Sequence, residues 1–151
     1  MDLKKYLSLE IIEQAIQGTL STAPLRECAV EYLFVMVGGD TPESIRTRIA
    51  EVTDLALARG AIVLHQVSAM AIVVWGVLNS QPPPARNALV TSLVKELGSN
   101  VKVVHGTSRA HFGNLGSERC MSLSVILPQF TEILAAIARL GFGQVLEVER
   151  A

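Results

Sequence analysis

The order in which β-rich runs and helical stripes alternate is the feature that most constrains the fold of this chain. A strand-like run, Cys28 to Val37, ends at two glycines, and Thr41 with Pro42 marks the start of a helical stripe. Two β-branched runs, a second helical stripe and a further strand follow at Ala61 to Val67, Ala71 to Leu78, Ala85 to Leu97 and Val101 to Val104. This βαββαβ order predicts an α+β fold with a ferredoxin-like core, in which two helices cover one face of an antiparallel sheet.

Further elements are predicted on both sides of this core. A leading helix is indicated between Ser8 and Gly18, and a proline-rich turn is expected at Asn79 to Pro84. The appended elements are two strands, a helix with Pro128 in its first turn and a final strand, at Arg109 to Leu115, Met121 to Ile126, Pro128 to Leu140 and Gln144 to Val148. We predict a single domain, 1–151, with a leading helix and connection (1–23), a core (28–106) and an appended part (109–151).

The composition favours a compact soluble protein and argues against a polyanionic partner. Half of the 151 residues are apolar and only 18% are charged, which excludes broad disorder. The formal net charge is -1 and the basic residues are scattered along the chain. We therefore predict that the protein binds neither nucleic acid nor anionic lipid.

Neither a membrane span nor a secretion signal is predicted. The longest apolar stretch, Ala61 to Leu78, is interrupted by polar residues and suits paired strands better than a spanning helix. The N-terminus begins with charged residues and lacks the apolar core of a signal peptide. Cys28 and Cys120 lie far apart and outside any CxxC spacing, so they are interpreted as free thiols. These features favour a cytoplasmic location.

Three segments resemble those of class III adenylate/guanylate cyclase domains. Phe34 to Thr41 is similar to FaDIxGFT, and Gly60 to Gly76 is similar to GGxVxKxxGDGxMAxFG. Residues 113–119 (GNLGSER), followed by 124–126 (SVI), resemble the segment GNxGSxxR…YTVIGDxVNxAARL. The resemblance covers most of the chain and implies a ferredoxin-like core with an appended hairpin and helix.

The resemblance places Met36 and Ala69 at the positions of two metal-binding aspartates. It implies a reaction in which a ribose hydroxyl attacks the α-phosphate and pyrophosphate leaves, with metal ions held by those aspartates. A thioether and a methyl group are poor ligands for the hard Mg²⁺ ion. We therefore expect no metal site and no cofactor.

Four more positions that matter in the family are altered. The resemblance places His65 at an adenine-selective lysine, Ser124 at its polar partner, Thr131 at a ribose-binding asparagine and Ala135 at a transition-state arginine. A methyl group cannot replace the bidentate phosphate contact of arginine. Because only His65, Ser124 and Thr131 keep hydrogen-bonding groups, they are the candidate ligand contacts, and no catalytic residue is predicted.

Other motifs favour structural interpretations. Gly38-Gly39-Asp40 matches part of a GGDEF-type motif, but it lies between a strand and a helix, so Asp40 and Thr41 are interpreted as a turn and a helix cap. Trp75 is expected in the core, or at an interface if its strand lies at an edge. The side chains that could bind zinc are His65, His105, His111 and Cys120. Because they lack the short sequence spacing of zinc ligands, a zinc site is not favoured.

Three functions remain open at this point. The first is a catalytically inactive cyclase-like domain that acts as a dimerisation or regulatory module in signalling, as a homodimer or with a related cyclase domain. Active members of the family build their sites at a dimer interface, which would place Trp75 or Arg109 to Ser117 near the partner. The second is a nucleotide or small-molecule sensor that uses the residual substrate groove. The third is an enzyme with relocated chemistry.

Overall fold

The computed structural model describes residues 24–77, 85–117 and 123–148, except for the side chains of 65–67 and 123. The leading helix predicted within 1–23, the turn predicted at 79–84 and Cys120 lie outside the described residues. The elements in chain order are β1 (Arg26–Val37), α1 (Pro42–Ala58), β2 (Ile62–Val67), β3 (Met70–Trp75), α2 (Ala85–Leu97), a 3₁₀ turn (Gly98–Asn100), β4 (Val101–Asn114), β5 (Leu123–Ile126), α3 (Phe130–Arg139) and β6 (Val145–Val148).

The strands of the described residues form one six-stranded sheet in the order β2-β3-β1-β4-β5, and β6 also pairs with β4. The pairs β1–β3, β1–β4, β2–β3 and β4–β5 are antiparallel, whereas β6 runs parallel to β4. The first four strands therefore have the order of the ferredoxin-like core, with α1 and α2 as its connecting helices. The predicted α+β class and the βαββαβ order of the core are confirmed, and the described residues also include the appended helix α3 and the final strand β6.

Strand β1 is central because it is apolar on both faces. Leu33 and Val35 point to the side of the sheet that carries α1 and α2, and Tyr32 and Phe34 point to the other side. All four side chains have 0% exposure. A strand buried on both faces is a continuous apolar run rather than an alternating one, which explains the pattern of residues 30–37.

Helices α1 and α2 cover one face of the sheet. A capping box fixes the start of α1: the backbone N–H of Ser44 donates to Thr41 Oγ1 (3.1 Å), and the backbone N–H of Thr41 donates to Ser44 Oγ (3.2 Å). The predicted cap at Thr41 is confirmed. Trp75 is 2% exposed on this face, and its Nε1 donates to the carbonyl of Arg59 at 3.1 Å. Trp75 is therefore a core residue, as expected.

The other face of the sheet is covered in part by α3. Ile133 and Ile137, four residues apart, are the buried residues of this helix and pack over β1 and β4. Among the described helices, none is both long and apolar enough to cross a membrane. Of the helices that the structure describes, the two longer ones cover one face of the sheet and the shorter α3 packs on the other.

The predicted gap between two strands at 106–109 is wrong. The sequence predicts two strands, Val101 to Val104 and Arg109 to Leu115, but a single strand runs from Val101 to Asn114. The reason is that Gly106 does not break the strand: without a side chain, it lets Tyr32 and Val148 pack close to the backbone of β4. A Cβ at this position would lie 2.7 Å from Tyr32 Oη and 2.9 Å from the carbonyl oxygen of Val148.

Two smaller boundaries also differ from the prediction. Helix α3 begins at Phe130, and Pro128 lies in the preceding turn rather than in the first helical turn. The turn between β2 and β3 consists of Ser68 and Ala69, so Met70 belongs to the strand. Met70 pairs there with Met36 of β1, which extends the sheet by one residue pair.

Candidate functional site

The fold brings the two degenerate metal positions together at the end of β1. The backbone N–H of Val37 donates to the carbonyl of Ala69 at 2.8 Å, and Met36 precedes Val37 in the same strand. Met36 is half-buried and packs on the face covered by α3, whereas the Ala69 methyl packs on the side of α1 and α2. Asp40, the nearest acidic residue along the chain, is exposed. Neither position carries a charged or coordinating oxygen.

Within the described ranges, the side chains that commonly bind metal ions lie apart from one another. No group of three His, Cys, Asp or Glu side chains there could hold a metal ion. His105 is buried in β4 and His111 is exposed further along the same strand. Consequently the residues considered for zinc do not come together in this part of the chain.

A cavity of about 500 Å³ lies next to these positions, between the sheet and the appended β5–α3 unit. Its walls come from β1, β3, β5 and α3 and the residues between the last two, and they are Phe34, Met70, Ile72, Ser124, Val125, Ile126, Leu127, Phe130 and Leu134. None of these nine residues is charged, and Ser124 contributes the one hydroxyl. The cavity is therefore an apolar site of the size that small-molecule ligands occupy.

The candidate ligand contacts divide between this cavity and the surface. Ser124 is 8% exposed, pairs with Gly113 across β5 and β4, and lines the cavity. Thr131 and Ala135 are exposed and do not belong to the cavity lining. The backbone of His65 pairs with Ile72 after an irregularity in β2, and its side chain is outside the described part. Of the three candidates, Ser124 alone is placed in the cavity by its side chain.

Phe130 and Leu134 were missed as candidate site residues. They lie four positions apart on α3 and line the cavity, whereas Ile133 and Ile137 on the same helix pack into the sheet. The apolar stripe of α3 is therefore wider than the contact with the sheet requires. That excess width was visible in the sequence and is the signal that could have indicated an apolar site.

A buried polar cluster on the opposite side of the sheet was also missed. Arg86 is 7% exposed, with Nη2 3.3 Å from Glu147 Oε1 and Nε 3.8 Å from Glu31 Oε1. His105, which pairs with Glu147 along β4 and β6, is also buried. Arg86 occupies an apolar-stripe position three residues before Leu89, so a cation at such a position was the available signal.

Burial controls the protonation of this cluster and of Cys28. Desolvation and the nearby Arg86 cation lower the pKa of His105, and the Glu147 carboxylate opposes them. Among the described residues, His105 Nδ1 has no hydrogen-bond partner. Desolvation raises the pKa of Cys28, a free thiol whose Sγ donates to the carbonyl of Ala110 at 3.7 Å. Cys28 is thus a protonated, weakly nucleophilic packing residue at neutral pH.

Comparison with solved structures identifies the fold. The adenylyl cyclase CyaB from P. aeruginosa is 13% identical, with a TM-score of 0.63 over 82% of this chain and 78% of that chain. A bacterial light-regulated adenylyl cyclase is 13% identical, with a TM-score of 0.70 over 94% of this chain and 50% of that chain. The guanylate cyclase domain of RhGC from Catenaria anguillulae, solved in complex with GTP, is 10% identical, with a TM-score of 0.65 over 80% of this chain and 78% of that chain.

The chain therefore has the fold of adenylyl and guanylyl cyclase catalytic domains, as the sequence resemblance implies. Neither protein-family models nor curated protein sequences match the chain. At 10–13% identity the likeness describes the backbone and leaves the side chains free to differ. The activity must accordingly be argued from the residues of this chain.

Proposed function

We propose that this protein is a catalytically inactive cyclase-like domain that acts as a dimerisation or regulatory module in signalling. The observation that carries the proposal is the loss of charge at the positions of the metal ions and of the transition-state arginine. Met36, Ala69 and Ala135 supply no anionic ligand and no cation at the aligned positions. The fold of a cyclase is thus kept without the groups that its chemistry needs.

The size of the missing electrostatic contribution supports this proposal. Transfer at the α-phosphate develops negative charge, which metal ions and fixed cations must stabilise. Loss of a single positioned hydrogen-bond donor typically lowers an enzymatic rate by about 10²–10³. The aligned positions here lack both metal ligands and the arginine, so the combined loss should reduce turnover to background.

The proposal that the domain dimerises is supported by the resemblance and by the surface beside the cavity. Active cyclases of this type form their sites between two domains, so the face that carries Met36 is the one a partner would cover. Ile126 and Phe130 on this face remain 44% and 41% exposed. Large apolar side chains clustered at a cavity rim are typical of protein interfaces. The partner would be a second copy or a related cyclase domain, in the cytoplasm.

An activity assay tests the proposal directly. Purified protein is expected to form no cyclic AMP or cyclic GMP from ATP or GTP, with either Mg²⁺ or Mn²⁺. An active cyclase domain assayed in parallel provides the positive control. Turnover above a mock preparation would contradict the proposal if it is lost in the His65→Ala variant, because a contaminating enzyme would not respond to that change.

A further inference from the structure

We propose that the 500 Å³ cavity between the sheet and the β5–α3 unit binds an uncharged, largely apolar small molecule. This inference concerns a ligand of the single chain and goes beyond the proposed inactivity and dimerisation. The lining residues that the structure describes come from both the core sheet and the appended part of the chain.

The chemistry of the walls selects against a nucleotide. A triphosphate requires cations or many hydrogen-bond donors, but none of the lining residues that the structure describes is charged. Purine edges also need several donors and acceptors, and Ser124 contributes a single hydroxyl. Moving an ionised group into such surroundings without a partner costs several kcal/mol or more. A mainly apolar molecule with one polar group fits these walls better.

The residues around the lost metal site extend the same apolar surface. Met36 stands where the resemblance places a carboxylate, and it pairs across the sheet with Met70, which lines the cavity. A charged carboxylate at Met36 would border this cavity and disfavour an apolar occupant. Methionine instead provides a flexible thioether that adapts to ligands of different shape. The same substitution that removes the metal ligand therefore makes the cavity more suitable for an apolar molecule.

Part of the cavity wall is exposed to solvent, so a small molecule can enter there. Ile126 and Phe130 line the cavity and remain 44% and 41% exposed, whereas Phe34 and Ile72 on the sheet side are 0% and 5% exposed. The sheet thus forms a closed floor, and β5 with α3 forms a wall that reaches solvent. In a chain without a bound partner, a ligand that enters beside Phe130 would cover apolar surface that is then hydrated, and this burial would drive its binding.

Binding can be measured with the uncharged fluorescent probe N-phenyl-1-naphthylamine. We expect saturable binding with one probe per chain, and displacement by 1-dodecanol. Dodecanoate should compete at least about tenfold less well, since its carboxylate would lose hydration without gaining a cation. ATP should not compete. Absence of saturable probe binding, or displacement of the probe by ATP, would overturn the proposal.

Two variants locate the probe. Leu134→Trp places a larger side chain in the cavity and should weaken probe binding by about tenfold or more. Val94→Trp is the matched control, because Val94 is 43% exposed on α2, and it should bind the probe as the wild type does. If Leu134→Trp does not fold, as judged by circular dichroism, Met70→Trp serves the same purpose from the sheet side. Unchanged binding in a folded cavity variant would refute this location.

Discussion

Ser68 holds a backbone conformation that serine rarely adopts. Its φ is 56°, and it is the first residue of the two-residue turn between β2 and β3. A left-handed conformation costs a residue with a Cβ about 1–2 kcal/mol, which glycine avoids. Because glycine also gains entropy in the unfolded state, we expect Ser68→Gly to stabilise the protein by about 0.5–1 kcal/mol.

Urea unfolding provides the measurement for Ser68. The matched control is Ser99→Gly in the 3₁₀ turn, where φ is not positive. That variant should be neutral or destabilised by up to about 1 kcal/mol, because glycine gains only unfolded-state entropy there. A lower midpoint for Ser68→Gly than for the wild type would show that the serine side chain stabilises the turn more than its backbone strains it.

His105 makes stability depend on pH. Burial and Arg86 lower its pKa in the folded state below the ordinary value of 6.5, although Glu147 acts in the opposite direction. As pH falls below 6.5, the unfolded chain takes up a proton at His105 that the folded chain does not. The contribution of His105 to the free energy of unfolding is therefore highest above pH 6.5. It decreases as the pH falls from 6.5 to the lowered pKa of the folded state, by at most about 1.4 kcal/mol per pH unit.

Urea unfolding at a series of pH values from neutral to mildly acidic tests this dependence. His105→Gln removes the titrating group, so its free energy of unfolding should change less with pH over this range than that of the wild type. The Ser99→Gly variant, which removes no titrating group, should keep the wild-type dependence. Equal pH slopes for the wild type and His105→Gln would show that His105 does not cause the effect.

At the scale of elements, Gly106 allows β4 to run as one strand past the core. An alanine methyl at this position would lie within 3 Å of both Tyr32 Oη (2.7 Å) and the carbonyl oxygen of Val148 (2.9 Å). Relief of this overlap requires β6 or Tyr32 to move. We expect Gly106→Ala to destabilise the protein by about 1–3 kcal/mol, as other overpacked sites do.

A double-mutant cycle identifies which contact is responsible. Tyr32→Phe removes the Oη atom, which has no hydrogen-bond partner among the described residues, and should cost little alone. In that background the cost of Gly106→Ala should decrease but not vanish, because the Val148 carbonyl remains. Gly141→Ala is the control, since its nearest atom would be 3.5 Å away. Equal costs in both backgrounds would exclude Tyr32 as the main contact.

The accuracy of the sequence prediction follows from how local each signal is. Helix α2 was predicted with its observed bounds, because its apolar stripe and the glycine that follows it, Gly98, are adjacent in the sequence. The break predicted near Gly106 was wrong because the role of this glycine depends on Tyr32, which lies more than 70 positions earlier in the chain. Local patterns cannot report such a contact.

The same limit applies to the candidate site. The sequence resemblance named Ser124 as a candidate ligand contact because the motif around it fixes its strand, and the structure places Ser124 in the cavity wall. It did not indicate the Arg86–Glu147 ion pair, which joins positions 61 residues apart. The cavity was also not predicted in detail, because its shape depends on how α3 and β5 pack over the sheet. These features are properties of the tertiary packing.

At the scale of the whole molecule, restoring two carboxylates should not restore cyclase activity. The Met36→Asp, Ala69→Asp double variant would recover the aligned metal ligands. The aligned asparagine and arginine would still be missing at Thr131 and Ala135, so the negative charge of the transition state would lack an amide donor and a cation. Cyclic nucleotide formation should therefore remain at background with ATP or GTP. The matched comparison adds Thr131→Asn and Ala135→Arg to the double variant. Substantial activity in the double variant alone would show that the alignment of α3 is wrong.

The surface of the molecule beside the cavity favours self-association. The face beside the cavity keeps Ile126 and Phe130 exposed, and a stable interface of about 1,600 Å² would bury them. We expect the protein to sediment as a homodimer at micromolar concentration, or to pair with a related cyclase domain. Phe130→Glu should weaken association by at least about thirtyfold, the loss typical of an aromatic anchor. Leu57→Glu, at a 46% exposed residue of α1 on the opposite side, should leave it unchanged. A monomer that also fails to pair with a related domain would refute dimerisation, while the cavity, built by one chain, would still be available to a small ligand.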